Sequence, residues 1–463
     1  MTVEARGAVS RRTLLAGAAG VPLLGAAAAC DSANTAEAAV DPFGITADRS
    51  LEVVIFPGGF GDDYAKAHEA MYRKEYPKAK VVHEATKTIA TDMKPRFDSG
   101  EPPDVLNNDG ADQFTIGELV NDGAMLDLTE LLDSPSYDDR NVKVRDTLLP
   151  GTVESGTFNG KVYALNYMYT VFGLFYDAAR WQSNGWEPPQ TWDQFLALAP
   201  KIKAAGIAPF AHAGKYPYYM GWALADWIHK IGGSSVAMAI DNLEPGAWRH
   251  QAVLDAAGMV IDLVGRGFVM PGSETMSHTV SQQALIDGKC AMIPCGTWLE
   301  NEMKATLPQS AKLTIVPVWS AGAKDAMPYG SARAGASGAF VVPTMAKNKA
   351  GGLEYLRVML SKAGASKFSA LTNSLASRKD SAEGVSGSSG LASAANVVKA
   401  AGNNLMTWKF SDWYGALEKA WEAAIADVMS GRTKRAADFA AAMQAAADGV
   451  ARDSSITKFH RNA

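Results

Sequence analysis

The segment Gly173–Phe195, GLFYDAARWQSNGWEPPQTWDQF, carries the sharpest structural signals in the chain. Its first residues are apolar up to a closing aspartate, which predicts the end of a buried β-strand. The paired prolines Pro188 and Pro189 then fix the backbone of a loop. Thr191 stands where a helix N-cap is expected, and polar side chains follow in the first turn. The segment therefore predicts a strand, a rigid loop and a helix in succession.

Strands and helices alternate on both sides of this segment. Upstream, residues 51–56 predict a strand and residues 62–76 an amphipathic helix. Alternation of this kind predicts an α/β fold with a mainly parallel sheet. The Ser/Gly-rich residues 381–393 predict a surface loop. Further predicted strands lie at 81–82, 104–106, within 161–177, and at 291–293, 313–316 and 340–342, and further helices at 191–205, 218–231, 251–264, 410–430 and 436–452.

Composition limits the possible partners. The chain has 463 residues, of which 47% are hydrophobic, so it can form large cores in two or three domains. A formal net charge of -5 gives no basic surface, and nucleic acid is not an expected partner. The 11 Trp, 14 Tyr and 16 Phe residues fit either large cores or a cleft that grips a ligand with aromatic faces.

Residues 1–30 predict an export signal rather than part of the fold. The stretch SRRTLL at 10–15 resembles a twin-arginine signal, and the apolar stretch after it is short for a bilayer span. The sequence AAAC at 27–30 resembles a lipobox, although such motifs prefer Leu where Ala27 stands. It predicts that Cys30 becomes a lipidated N-terminus, the alternative being a cleaved signal with an incidental cysteine. The small, polar residues 31–48 predict a flexible tether to the outer face of the cell membrane.

The other two cysteines, Cys290 and Cys295, lie in the stretch GKCAMIPCGTWLE at 288–300. In an extended strand they would stand roughly 16 Å apart and face opposite sides. A disulfide needs Cα atoms within about 7 Å, so two buried free thiols are expected. A bend at Pro294 leaves a local disulfide as the alternative in an oxidising compartment. No histidine is close in sequence, so a zinc site is not expected.

No motif predicts catalysis or a cofactor. The chain has no Walker A loop, no HExxH motif and no GxSxG motif. The turn at 58–61 could bind phosphate, but Asp62 and Asp63 would place like charge there. A glycoside hydrolase stays open, because sequence gives no separations for the carboxylates of Asp109, Glu300 and Asp412. An enzyme is nevertheless not the expected function.

The opening segment resembles a hallmark of bacterial extracellular solute-binding proteins of sugar ABC transporters. Three further blocks agree with that family in order along the chain. They are GKCAMIPCGTW at 288–298, FVVP at 340–343 and FSDWYGALEKAWEAAIADVMSGR at 410–432. With residues 185–215 included, the chain is most similar to the actinobacterial N-acetylglucosamine and diacetylchitobiose-binding lipoproteins.

The resemblance implies an α/β, two-lobe fold of the type II periplasmic-binding-protein kind. Each lobe would be a sheet flanked by helices, with the ligand cleft at the hinge. Lobe 1 would comprise residues 49–166 and 327–376, and lobe 2 residues 167–326 and 377–463. The protein would be a monomer that captures N-acetylglucosamine or a chitobiose-type oligosaccharide and delivers it to a membrane permease with a separate ATPase. The alternatives are a secreted glycoside hydrolase or lyase, and a binding protein for another carbohydrate or a non-sugar solute.

The resemblance also implies the ligand-binding residues. Aromatic rings would cover the apolar C–H face of a sugar, while planar polar groups bond its hydroxyl rim. Trp298, Trp413 and Tyr219 match ring positions of the family, with core packing as the alternative for each. Asn108 and Asp109 match a hydroxyl-binding loop, with turn formation or helix capping as the alternative. Further candidates for the cleft are Phe60, Tyr167, Tyr169, Trp222, Arg333 and Trp408, with core packing as the alternative for Tyr167 and Tyr169.

Overall fold

The strands and helices have the following bounds in the computed structural model, which describes residues 42–46, 48–149, 151–381 and 388–461. The strands are β1 Leu51–Ile55, β2 Val81–Ala85, β3 Val105–Asn108, β4 Thr157–Phe158, β5 Lys161–Val162, β6 Leu165–Asp177, β7 Ala208–Phe210, β8 Cys290–Gly296, β9 Leu313–Val316, β10 Ala332–Val341, β11 Leu375–Ala376 and β12 Leu405–Met406. The helices are α1 Asp63–Glu75, α2 Ile89–Asp98, α3 Ile116–Asn121, α4 Thr129–Asp133, α5 Thr152–Ser155, α6 Ala178–Ser183, α7 Trp192–Ala204, α8 Tyr218–Asp241, α9 Gln251–Gly265, α10 His278–Ile286, α11 Leu299–Glu302, α12 Lys349–Met359, α13 Lys362–Thr372, α14 Ser389–Ala401, α15 Phe410–Trp413, α16 Gly415–Met429 and α17 Ala436–Arg452.

The N-terminal predictions fall mostly outside these residues. The export signal and Cys30 lie in the part of the chain that is not described. Of the segment predicted as a tether, Phe43 and Ile45 pack against the hydrophobic core of lobe 1. No helix among the described residues is long and apolar enough to cross a bilayer.

The central sheet has the strand order β2-β1-β3-β10-β6-β8-β7. Strands β1, β2 and β3 are parallel, as the strand–helix alternation predicts. The prediction of a mainly parallel sheet is wrong at the centre, where β10 runs antiparallel to both β3 and β6. Strand β6 is also antiparallel to β8 and β9. The fold is therefore a mixed α/β sheet flanked by helices.

Strands β6 and β10 connect the cores of the two lobes. In β6, Tyr167 packs in the core of lobe 1, whereas Tyr169 packs with residues of lobe 2. In β10, Ala334 packs with lobe 2 and Phe340 with lobe 1. Both strands thus change lobe along their length, which is the arrangement of a two-lobe fold with hinge strands. The exact lobe boundaries stay a prediction.

The structure confirms the local prediction for the opening segment. Strand β6 ends at Asp177, whose carboxylate accepts a hydrogen bond from the Ala179 backbone N–H at 3.1 Å and so caps α6. Thr191 caps α7, and Gln194 completes a capping box by accepting from the Thr191 backbone N–H. This pattern satisfies N–H groups that a helix start otherwise leaves without partners.

Three predicted boundaries are wrong for identifiable reasons. Helix α8 continues past residue 231 to Asp241 through a kink at Gly233, whose φ of 76° suits glycine. The helix predicted at 410–430 is broken at Tyr414, where φ is -135° and ψ is 93°. The loop predicted to residue 393 gives way to α14 at Ser389, because the Ser388 side chain caps that helix.

Candidate functional site

Four rings of lobe 2 form a contiguous surface, named here the aromatic wall: Phe172, Tyr219, Trp222 and Trp298. The ring centroids of Phe172 and Trp222 are 4.7 Å apart, those of Tyr219 and Trp222 4.8 Å, and those of Trp222 and Trp298 5.5 Å. Trp222 and Trp298 are half-buried, so part of each ring stays accessible. The wall can therefore offer aromatic surface to a ligand.

Two features of the chain assemble the wall. Tyr219 and Trp222 are three residues apart on α8, so they share one face of that helix. In the β6–β8 pairing, Phe172 lies opposite Gly296, which places it beside the turn that carries Trp298. Gly296 is required there, because a Cβ would lie 2.0 Å from the Trp298 ring. The rings of Trp298 and Tyr219 meet edge to face, with centroids 6.1 Å apart, and this contact links the strand side of the wall to the helix side.

A turn of lobe 1 contacts the wall directly. At Gly59, a Cβ would lie 2.7 Å from the Trp298 Cβ, so only glycine allows this approach. The Asn301 side-chain amide of lobe 2 donates a hydrogen bond to the Gly59 carbonyl at 2.6 Å. The lobes therefore meet at this point. Phe60, next in the turn, is half-buried and directs its ring toward the lobe 1 core, 5.6 Å from Phe368.

Asn108 and Asp109, the polar residues at the end of β3, have different roles in the structure. Asn108 is 1% exposed, and its amide both donates to the Phe114 carbonyl at 2.9 Å and accepts from the Phe114 N–H at 2.8 Å. It therefore holds the loop, which was the alternative to ligand contact. Asp109 is half-buried and accepts only from the Gly110 N–H at 2.8 Å within the described chain. Burial raises the pKa of Asp109 to about 6.

Arg333 on β10 lies at the edge of the wall. Its guanidinium carbon is 4.8 Å from the ring centroid of Phe172 and 6.0 Å from that of Trp222. A guanidinium over aromatic faces is stabilised by the quadrupole of the rings. Burial lowers the pKa of Arg333, while Asp226 and Asp412 act in the opposite direction. Arg333 stays charged, since a guanidinium does not deprotonate in proteins.

The structure brings together four of the predicted site residues, namely Tyr219, Trp222, Trp298 and Arg333. Tyr169, which is 7% exposed, packs in the same hydrophobic cluster as Tyr219. Burial raises the pKa of the hydroxyl of Tyr218, the residue before Tyr219, and the charge of Asp109 in lobe 1 raises it further.

Three predicted aromatics lie in cores instead. Tyr167 is fully buried in lobe 1, and its hydroxyl donates to the Met359 carbonyl at 3.0 Å. Trp408 is 4% exposed and packs edge-on against Phe410, 5.8 Å away. Trp413 is also 4% exposed, and its ring lies 5.6 Å from that of Phe459. Burial of these side chains argues against direct ligand contact in this conformation, and core packing was the alternative for Tyr167 and Trp413.

Sequence reasoning missed Phe172 and Asp226. Phe172 stands in a continuous apolar run, so nothing in the sequence separates it from its buried neighbours. Asp226 did carry a signal, because it is a lone acidic residue in the apolar helical stretch from 219 to 229. Its side chain is 2% exposed and borders a small space that Phe172 and Trp222 also line.

The two cysteines of the described chain are free and buried, as predicted. Burial raises the pKa of Cys290 to about 12 and that of Cys295 well above its ordinary value. Both are therefore protonated thiols, which are poor nucleophiles and poor metal ligands. Their orientation toward opposite faces of β8 stays a prediction.

Two α/β lobes joined by shared strands, with an aromatic wall on one lobe meeting turns of the other, define the two-lobe class of solute-binding proteins. The chain belongs to the bacterial extracellular solute-binding protein family, whose model matches residues 58–366. It is accordingly an extracytoplasmic protein of a family that binds solutes.

The relatives include proteins whose names record sugars. The chain is 34% identical to the diacetylchitobiose binding protein NgcE of Streptomyces coelicolor over 99% of both chains. A structure solved in work on xylan utilization by Caldanaerobius polysaccharolyticus superposes with a TM-score of 0.72 at 18% identity, covering 86% of this chain and 99% of the other. A chitin oligosaccharide binding protein gives a TM-score of 0.67 at 19% identity, covering 84% and 93%. These two structures support the fold.

Proposed function

We propose that the protein captures N-acetylglucosamine or a chitobiose-type oligosaccharide by closure of its two lobes and delivers it to an ABC permease powered by a separate ATPase. The observation that carries the proposal is the aromatic wall with Arg333 at its edge, in a chain 34% identical throughout to a diacetylchitobiose binding protein. Pyranose rings have an apolar C–H face that fits such a wall. Acetamido and hydroxyl groups supply acceptors and donors for its edge.

In the proposed site, Trp222 and Trp298 stack on the sugar and Tyr219 supports them from α8. Arg333 donates to oxygen atoms of the rim, while Asp109 accepts from hydroxyl groups on the lobe 1 side. Phe60 and Tyr169 contribute less ring surface to the sugar contact, because their rings pack in hydrophobic clusters of the protein. Closure then follows from the ligand's higher affinity for the form in which both lobes contact it.

Calorimetry with N-acetylglucosamine and diacetylchitobiose tests the proposal. Micromolar or tighter binding of one of them is expected, with weaker binding of xylose and raffinose as matched neutral sugars. Absence of heat with every sugar of the panel would exclude a sugar ligand. Tight binding of another sugar alone would keep the sugar class and replace the acetamido assignment.

The rival function is hydrolysis of the same oligosaccharides, since the raised pKa of Asp109 is also compatible with a proton donor. Prolonged incubation with a chitooligosaccharide and analysis of chain length separates the two functions. A binding protein returns the oligosaccharide intact, whereas shortened products would establish an enzyme.

We further propose that the protein acts as a monomer held at the outer face of the membrane by lipid on Cys30. The motif AAAC supports this assignment. Replacement of Cys30 by Ala should move the protein from the membrane fraction to the medium. Retention of Cys30→Ala in membranes would argue for a different anchor.

A further inference from the structure

The turn that carries Trp298 continues into α11, where three consecutive polar side chains have three different partners. Glu300 accepts a hydrogen bond at the start of α14, from the Gly390 backbone N–H at 3.0 Å. Glu302 pairs with α10, and its carboxylate lies 3.1 Å from the imidazole of His278. Both of these bonds stay within lobe 2. They fix the turn, and Trp298 with it, to its own lobe.

Asn301, which stands between these two glutamates, is bonded to the other lobe instead. Its side-chain amide donates to the Gly59 carbonyl at 2.6 Å, and its Oδ1 atom has no partner among the described residues. Asn301 is 7% exposed, and a hydrogen bond that is shielded from water is electrostatically stronger than an exposed one. Within the described chain, the hydrogen bonding of this side chain is therefore directed entirely to lobe 1.

The residue that accepts this hydrogen bond also touches the aromatic wall. A Cβ at Gly59 would lie 2.7 Å from the Trp298 Cβ and 2.8 Å from the Trp298 Cγ and Cδ1. Trp298 begins the helical turn of α11 and Asn301 follows three residues later, so the two side chains share one side of the turn. The Asn301 amide thus holds Gly59 against the side chain of Trp298.

We propose that Asn301 is a positioning residue for sugar binding, which holds lobe 1 against the aromatic wall in the closed form. Its bond to Gly59 joins two lobes, so it forms when they meet and is lost when they separate. A contact made only in the closed form raises the population of that form, and with it the apparent affinity of a ligand that binds there. The inference rests on the proposed sugar-binding function and assigns one part of lobe closure to the protein itself.

The test compares Kd values for diacetylchitobiose, measured by calorimetry at pH 8. Asn301→Ala removes the hydrogen bond and should weaken binding about fivefold. Asn301→Asp keeps the shape of the side chain, but a carboxylate can only accept. Facing the Gly59 carbonyl, it should weaken binding at least about threefold more than Asn301→Ala does. Asn184→Asp is the matched control and should leave Kd unchanged, because the Asn184 amide donates to the Arg180 carbonyl at 2.8 Å inside lobe 2.

The order of the two Asn301 variants separates a hydrogen-bonding role from simple packing. If the side chain only filled space, Asn301→Asp would bind the sugar more tightly than Asn301→Ala, because Asp nearly matches Asn in volume. The pH gives a second readout, since a protonated carboxyl regains an O–H donor and burial favours that form. The ratio of the Asn301→Asp Kd to the wild-type Kd should therefore fall at least about twofold from pH 8 to pH 5.

A double variant tests whether Asn301 and Gly59 act through one contact. Gly59→Ala disturbs the same contact from the lobe 1 side. The double variant Gly59→Ala/Asn301→Ala should therefore bind hardly more weakly than Gly59→Ala alone, because changes to one shared contact are not additive. Fold losses that multiply would show that the two residues act independently.

Both Asn301 variants should fold, because the side chain makes no hydrogen bond to lobe 2 within the described chain. Urea unfolding checks this, and Asn301→Ser, which is too short to reach the carbonyl, replaces a variant that does not unfold cooperatively. Its expected loss is also about fivefold.

Wild-type affinity in the folded Asn301 variants would overturn the inference, as would tighter binding by Asn301→Asp than by Asn301→Ala at pH 8, or multiplying losses in the double variant. In those outcomes the wild type still binds diacetylchitobiose and the proposed function stands. If the wild type binds no sugar of the panel, the proposed function fails, and the role of Asn301 in sugar binding fails with it.

Discussion

The two sides of the cleft are built from different kinds of structure. Lobe 2 contributes the aromatic wall, whose rings are fixed on a strand, a helix and a turn. Lobe 1 contributes short turns, with Gly59 against Trp298 of the wall and Asp109 in the turn after β3. Burial of aromatic rings against the ligand supplies most of the binding free energy in such a site. A glycine contributes no side-chain contact and only lets the backbone of one lobe come close to the other. The comparison teaches that lobe 2 should determine affinity and lobe 1 should determine closure.

The largest effect is expected on the lobe 2 side. Trp298→Ala should lose roughly 1.5 kcal/mol or more of sugar-binding free energy, about tenfold or more in Kd, because it removes ring area and ring contacts. Calorimetry measures this loss, with Trp298→Phe as the control that keeps an aromatic ring. Equal affinity of the Ala variant and the wild type would remove Trp298 from the site.

A smaller effect is expected on the lobe 1 side. Gly59→Ala would place a Cβ 2.7 Å from the Trp298 Cβ and so hinder the contact between lobes. We expect about a fivefold loss of affinity, with a reduced ligand-induced decrease in radius of gyration by X-ray scattering. Gly258→Ala is the matched control, because a Cβ at Gly258 meets nothing within 4 Å. Normal compaction of Gly59→Ala on binding would show that closure does not use this contact.

Asp109 adds a pH-dependent term to the stability of lobe 1. Its pKa is raised from 3.8 to about 6 in the folded protein, so folding favours the protonated carboxyl. The stabilisation is fully present below about pH 3.8 and is lost as pH rises through about 6. Asp109→Asn should remove this slope, seen as the difference in urea unfolding free energy between wild type and variant from pH 4 to 7. A pH-independent difference would contradict the burial of the carboxylate.

The smallest effect on sugar affinity is expected from the two cysteines of β8. Replacing Cys290 and Cys295 together by Ser should leave sugar affinity nearly unchanged, because both are protonated buried thiols without a ligand role. Calorimetry on a variant that retains a cooperative unfolding transition checks this. A large loss of affinity in a folded variant would make the cysteines functional.

Local structure was the part most accessible to sequence reasoning. Thr191 and Gln194 form their capping box because its hydrogen bonds join residues three apart, whatever the rest of the fold does. The parallel strands at the start of lobe 1 followed from strand–helix alternation. The central antiparallel pairing of β6 with β10 did not, because these strands are more than 150 residues apart and their direction depends on how the lobes connect.

The sequence by itself determined the class of fold, the family resemblance and the presence of aromatic residues at conspicuous motifs. Only the tertiary structure decided which rings line the site. Trp298 and Trp413 stand in comparably strong motifs, yet Trp298 is half-buried in the wall and Trp413 is 4% exposed in a core. The exposure of a side chain depends on long-range packing around it, and one-dimensional spacing does not encode which neighbours arrive. The same holds for Arg333 and Trp222, which lie 111 residues apart in the sequence, yet the Arg333 guanidinium on β10 lies 6.0 Å from the Trp222 ring on α8.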